Sequence, residues 1–151
     1  MQLTKAGVIA VMLGGFVSAA QAATCYKTDE IEADQAVRFQ AQLMVLSDSC
    51  RSPSYTNFTN RNGPTLVSYQ RTLVEYFRRT NGKRADAVFD RFITSLANVI
   101  ALDVGKEPVA TVCSRSADFL TQAGGFGKDD FQHYVAQQAA AKRGEYPSCK
   151  N

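Results

Sequence analysis

Four cysteines, placed far apart along the chain, restrict what this sequence can fold into more than any other feature. They are Cys25, Cys50, Cys113 and Cys149. An even number of cysteines in an exported chain predicts disulfides, here two. None of them has a partner at the short spacing that is typical of a zinc site or a redox pair, and His133 is the only histidine. We therefore expect structural cross-links and no metal centre.

The first 22 residues have the pattern of an export signal. Lys5 supplies a positive charge, an apolar run of about a dozen residues follows, and small residues stand at Ala20 and Ala22, where a signal peptidase cuts. A transmembrane helix needs roughly 20 apolar residues, so this run is too short for a retained anchor. Lipid attachment at Cys25 is disfavoured, because Thr24 stands where such signals carry a smaller residue. The segment predicts a periplasmic or secreted protein, cleaved after Ala22, with no stable membrane insertion after signal removal.

Cleavage would leave residues 23–151 as a single domain, because 129 of the 151 residues suffice for one hydrophobic core. Without Lys5, 16 basic side chains stand against 14 acidic ones, and a net charge of +2 is too small to attract nucleic acid or a membrane surface. Hydrophobic residues make up 45% of the chain, including nine Phe and six Tyr, which excludes a disordered chain. The composition predicts a globular domain that does not bind nucleic acid.

The first predicted helix decides which cysteines can pair. Thr28 or its neighbour can cap the start of this helix, and an apolar face continues to about Ser47. At 1.5 Å per residue, such a helix holds Cys25 and Cys50 roughly 30 Å apart, which is beyond the reach of a disulfide. Two connectivities remain, and we favour the one that joins the two ends of the chain. Its pairs are Cys25 with Cys149 and Cys50 with Cys113.

Further helical segments follow, and no stretch alternates for long enough to predict a strand. Asn62-Gly63-Pro64 is expected to break or kink the second segment, with Pro64 opening a new helix. The third segment has a broad apolar stripe, and we expect it to be the most buried element. The predicted segments after the first are 55–61 and 64–81, 85–103, 109–123 and 129–142. These patterns predict an all-α fold, a compact disulfide-stapled bundle of four to five helices.

A basic cluster near the turn between the second and third helices is the candidate binding site. Arg78, Arg79 and Arg84 stand there, and the paired donors of a guanidinium suit phosphate or an acidic polysaccharide. The alternative is an ordinary solvated face, because Glu75 and Asp86 are interleaved with the arginines. If the cluster binds an anion, added salt and charge reversal at Arg79 and Arg84 are expected to weaken binding.

Two further patterns involve His133. Asp129 lies four residues earlier, where its carboxylate could orient the imidazole for acid–base catalysis. Met44, the only methionine left after signal removal, could share a haem iron with His133 across the bundle. Both patterns have simpler explanations, since acidic residues favour helix starts and methionine fills gaps in apolar cores. Neither a nucleophile motif nor a haem-attachment motif accompanies them.

The string Leu43-Met44-Val45 ahead of Cys50, the stretch 92–98 and Cys113 resemble small exported four-cysteine helical proteins of bacteria that have no assigned activity. This resemblance implies export and a helical fold but supplies no catalytic residue, substrate or cofactor. Together with the scarcity of catalytic motifs, it leads us to expect a non-catalytic binding or structural protein of the cell envelope. The expected partner is an envelope protein or an anionic ligand, and no cofactor is expected.

Overall fold

Five α-helices follow one another between residues 24 and 149, the part of the chain that the computed structural model describes. The predicted export signal lies outside the described residues. The helices are α1 (Thr28–Ser49), α2 (Ser54–Asn81), α3 (Ala85–Val104), α4 (Val109–Gly125) and α5 (Lys128–Lys142). Short 3-10 turns follow α2 and α5. In the described part of the chain, the strand-like pairing is confined to an isolated bridge between Tyr26 and Ser148. The predicted all-α bundle is therefore confirmed.

Helix α1 forms the centre of the bundle and packs against each of the other four helices. It begins where predicted, and the carboxylate of Glu30 accepts a hydrogen bond of 2.8 Å from the backbone N–H of Lys27. This bond satisfies one of the amides that a helix start leaves unpaired. Apolar side chains of α1 are buried on several sides, including Ile31, Val37 and Leu43. The burial on several sides explains how one helix can contact all the others.

A cluster of phenylalanines fills the main core where α1, α2, α4 and α5 meet. The ring centroid of Phe39 lies 5.2 Å from Phe58, 5.7 Å from Phe119, 6.0 Å from Phe126 and 5.4 Å from Phe131. Phe39, Phe58 and Phe131 are almost completely buried. Aromatic rings of this size remove a large apolar area from water, so this cluster is the main source of hydrophobic stabilisation.

Helix α2 runs without a break from Ser54 to Asn81, so the predicted interruption at Pro64 is absent. The proline ring leaves the carbonyl of Asn60 without its helical partner, but both residues lie on the exposed face, where water can satisfy that carbonyl. On the opposite face, the buried Asn62 donates hydrogen bonds to the carbonyls of Phe58 and Phe126, at 3.1 and 2.9 Å. The bond to Phe126 joins the middle of α2 to the connection between α4 and α5.

Two disulfides join distant parts of the chain with the favoured connectivity. The Cα atoms of Cys25 and Cys149 are 4.8 Å apart, and those of Cys50 and Cys113 are 5.5 Å apart. The first disulfide closes the chain ends onto each other, where the N–H of Cys149 also donates to the carbonyl of Tyr26 at 3.0 Å. The second links the end of α1 to α4. As expected, α1 separates Cys25 from Cys50.

Candidate functional site

The structure gives the three predicted binding arginines different surroundings. Arg79 turns towards α1, where it forms a salt bridge of 2.5 Å with Glu30 and donates a hydrogen bond of 3.0 Å to the carbonyl of Cys25. Its guanidinium also lies 5.4 Å from the ring centroid of Tyr76. The side chain of Arg79 is only 28% exposed, and that of Glu30 is 6% exposed. Arg79 thus connects α2 to the start of the described chain.

Arg78 and Arg84 remain at the surface. Arg78 forms an ion pair with Glu75 one turn earlier on α2, and Arg84 is exposed in the 3-10 turn before α3. None of the three arginines lines one of the clefts beside α3. Although they are close in sequence, their positions around the end of α2 point their side chains in different directions.

The structure does not bring the residues around His133 into the two predicted arrangements. His133 is exposed on α5, and its Nε2 lies 2.9 Å from the side-chain nitrogen of Gln137. The helix start is capped by Asp130, which accepts a hydrogen bond from the N–H of Gly127, while Asp129 is exposed. Met44 lies on α1, on the side of that helix that faces α3. Among residues 24–149, no group of three or more His, Cys, Asp and Glu residues could hold a metal ion.

Helix α3 has fewer buried residues than the other helices of the described chain, so the expectation that it is the most buried element is wrong. Ala85 is its single buried residue, whereas Val99 and Leu102 are 62% and 72% exposed. Its main packing partners are α1 and α2, which direct much of their apolar surface towards α4 and α5. The stripe of α3 is consequently only half-buried. Its members are Val88, Phe89, Phe92, Ile93 and Leu96.

Two clefts that share Met44 follow one side of α1, and residues of α3 border both of them. The first, which we call the proximal cleft, has a volume of about 330 Å³, and Val37, Ala41 and Ile93 line its apolar part. The second, the distal cleft, has a volume of about 670 Å³ and continues towards the loop that joins α1 to α2. Met44 lines both clefts. Ala101 of α3 closes one side of the distal cleft.

A third cleft, of about 630 Å³, lies on the other side of α3, between α3 and α4. Leu46 and Val112 contribute buried apolar surface to it, and the exposed Val99 and Leu102 stand at its rim. Concave, mainly apolar surfaces with a few polar groups are the usual form of ligand sites. The surroundings of α3 are therefore the candidate functional site, with clefts on both of its flanks.

The distal cleft ends at Arg51, whose backbone is in the left-handed region with a φ of 51°. Two hydrogen bonds terminate α1 there: the N–H of Arg51 donates to the carbonyl of Asp48 at 3.2 Å, and the N–H of Ser52 donates to the carbonyl of Ser47 at 2.8 Å. This is a Schellman motif, in which glycine normally occupies the left-handed position. An arginine at that position is strained, and its guanidinium has no hydrogen-bond or ion-pair partner within the described part of the chain.

A polar cluster at the other end of α1 has a structural role. The hydroxyl of Tyr146 donates to the carboxylate of Asp34, which also accepts a hydrogen bond of 2.6 Å from Arg38. Burial, with the bond to Asp34 as a second cause, raises the pKa of Tyr146 to about 12. Burial and its contact with Tyr76 likewise raise the pKa of Tyr26 far above its usual range. These groups satisfy one another and fix the C-terminal tail to α1.

The sequence analysis missed the clefts beside α3 and the position of Arg51. An apolar stripe in a sequence does not reveal whether a neighbour covers it. A signal for Arg51 was present, because no glycine stands between the end of α1 and Pro53 to take the left-handed position. One of the residues in the run Ser49 to Ser52 therefore had to adopt it.

Similarity to known proteins does not indicate a function for this chain. No protein-family model, no characterised protein and no solved structure matches this chain. Among residues 24–149, no helix combines the length and the apolar character that crossing a bilayer requires.

Proposed function

We propose that this protein is a non-catalytic binding protein of an oxidising exported compartment, the periplasm or the extracellular space, and that it binds an apolar ligand beside α3. The two disulfides support such a compartment, because cross-links of this kind persist under oxidising conditions. The predicted export signal agrees with it.

The loose packing of α3 is the observation that carries this proposal. The helix is rich in large apolar residues, yet Ala85 alone among its residues is buried. A half-covered apolar stripe costs free energy in water, so a ligand that displaces water from the adjoining clefts gains hydrophobic stabilisation. Contiguous exposed apolar surface beside a cleft is a typical feature of ligand-binding and interaction sites.

A titration with a neutral naphthylamine dye tests the proposal, since such dyes fluoresce when they enter apolar sites. We expect saturable binding to the folded, oxidised protein. Ala101→Trp places an indole in the distal cleft and should reduce dye binding. Asn98→Trp is the matched control, because Asn98 is an exposed residue of the same helix that lines none of the three clefts.

Dye binding that is absent in the wild-type protein, or equal in both tryptophan variants, would contradict a ligand site in the distal cleft. Circular dichroism of the two variants supplies the folding control. Both substitutions introduce the same side chain at an exposed helical position, but Ala101→Trp alone loses the high helix propensity of alanine, so the free energy of unfolding of both variants is measured beside dye binding.

A further inference from the structure

We infer that the ligand of the adjoining clefts is a single-chain anionic amphiphile, whose apolar chain lies along α1 and whose carboxylate binds Arg51. The inference rests on the proposed function and adds to it the chemical class and the orientation of the ligand. It follows from the shape of the clefts, the charges at their two ends and the backbone of Arg51.

The proximal and distal clefts together follow α1 from Val37 to Arg51. The helical part of this path, from Val37 to Ser49, extends for about 18 Å, which suits an extended acyl chain better than a compact ring system. The surface along this path is largely apolar and includes Met44, whose flexible side chain can adapt to a chain beside it. Because Met44 lines both clefts, a linear molecule can occupy the two as one site.

The charges at the two ends of this path differ and set the direction of the ligand. Asp90 lines the proximal cleft and would repel an anionic head group. At the distal end stand Arg51 and the hydroxyl-bearing residues Ser49 and Thr56, which can donate hydrogen bonds to a carboxylate. Asp48 lines the same end and forms no ion pair with Arg51, so its charge should weaken the attraction without blocking the guanidinium.

The strained backbone at Arg51 is the second observation. A glycine at this position would end α1 at lower conformational cost, so the arginine side chain is present despite a stability penalty. Strained residues of this kind cluster at ligand sites. The amides at the start of α2 are meanwhile satisfied internally, for example by the hydrogen bond of 3.1 Å from the N–H of Tyr55 to Oγ of Ser47. The guanidinium is therefore the principal group at this end that can bind an anion.

The test compares tetradecanoate with tetradecanol, which has the same chain and a neutral head, as competitors of the bound dye. Charge-assisted hydrogen bonds at a partly exposed site should give tetradecanoate about tenfold higher affinity in the wild-type protein. Arg51→Gly should remove this preference and leave the affinity for tetradecanol unchanged. The variant relieves the left-handed strain, so it should fold at least as stably as the wild type.

Two matched variants sharpen the comparison. Arg91→Gln removes an exposed cation of α3 that lines none of the three clefts and should leave the preference intact. Asp48→Asn removes the acidic neighbour and should increase the preference for tetradecanoate. Equal affinity for the two amphiphiles, or a preference that survives Arg51→Gly, would overturn the inference while dye binding still supports the proposed function. Absence of dye binding would remove both.

A vesicle experiment separates the free amphiphile from a lipid held in a bilayer. Saturable binding of dispersed tetradecanoate is the expected result, with no cosedimentation with phosphatidylglycerol vesicles. Cosedimentation without saturable binding of the free amphiphile would refute the inference, because adsorption to an anionic surface does not use a cleft.

Discussion

Replacing Gly124 by alanine tests the packing of α4 against α2 most directly. A Cβ at this position would lie 3.0 Å from Cα of Ser54 and 3.1 Å from its Cβ and Oγ. The closest atom belongs to the backbone, so a change of rotamer cannot remove the clash. Gly125 is the matched control, because a Cβ there would meet nothing within 4 Å.

The two variants are expected to change stability in opposite directions. Both substitutions gain up to about 1 kcal/mol from the higher helix propensity of alanine. At Gly124 this gain is opposed by overpacking, which typically costs 1–3 kcal/mol, and the site is further fixed by a hydrogen bond of 2.7 Å from Arg61 to the carbonyl of Gly124. We therefore expect Gly125→Ala to be neutral or stabilising and Gly124→Ala to be less stable than that control by about 2 kcal/mol.

Urea denaturation followed by far-UV circular dichroism, with both disulfides intact, measures the two free energies of unfolding. The additional change Ser54→Gly removes two of the three close contacts and should restore part of the stability of Gly124→Ala. If Gly124→Ala matches or exceeds Gly125→Ala in stability, the close approach of the two helices is wrong.

Three further predictions follow from the cross-links and from the packing. Removing the disulfide with Cys50→Ser and Cys113→Ser should cost about 4 kcal/mol by the entropy of the loop it closes, and an unchanged urea midpoint would contradict this. The free energy of unfolding of the wild type should fall as pH rises from 10.0 through about 12, because the folded state holds the proton of Tyr146 more tightly than the unfolded state. Tyr146→Phe should be less stable by about 1 kcal/mol at neutral pH. Its free energy of unfolding, measured as a function of pH, should fall less at alkaline pH than that of the wild type. Amides of α3 should exchange with solvent faster than those of α1, and equal protection measured by hydrogen exchange would argue against loose packing.

The parts of the fold that could be predicted from sequence are those that depend on local geometry. Helix α1 is long and rigid, so the exclusion of a Cys25–Cys50 disulfide required only the rise per residue. The continuity of α2 could not be predicted in this way. Near Pro64, Asn62 donates a hydrogen bond to the carbonyl of Phe126, a residue 64 positions later, and local propensity contains no information about such a tertiary contact.

The candidate site was harder to predict because it depends on how much of the apolar stripe of α3 the neighbouring helices leave exposed. A periodic stripe shows that a helix has an apolar face, but the amount of surface that the neighbours can cover depends on how the whole bundle packs. The sequence around the arginine cluster also did not reveal that Arg79 forms an ion pair with Glu30, which lies in a distant part of the sequence. Arg51 acquires its significance only from the cleft that it borders.

The distribution of specific contacts explains why α3 rather than another helix borders the candidate site. Directional contacts tie three of the other helices together: Arg79 with Glu30 joins α2 to α1, Arg61 with Gly124 joins α2 to α4, and the Cys50–Cys113 disulfide joins the end of α1 to α4. Helix α3 is held mainly by half-buried apolar side chains, with Arg38 of α1 over the ring of Phe92. Apolar contacts are non-directional, so α3 can adjust its position without breaking a cross-link. A ligand beside α3 would therefore cover apolar surface on the helix that has the fewest buried residues, and its binding energy would stabilise that helix while the cross-linked frame stays unchanged.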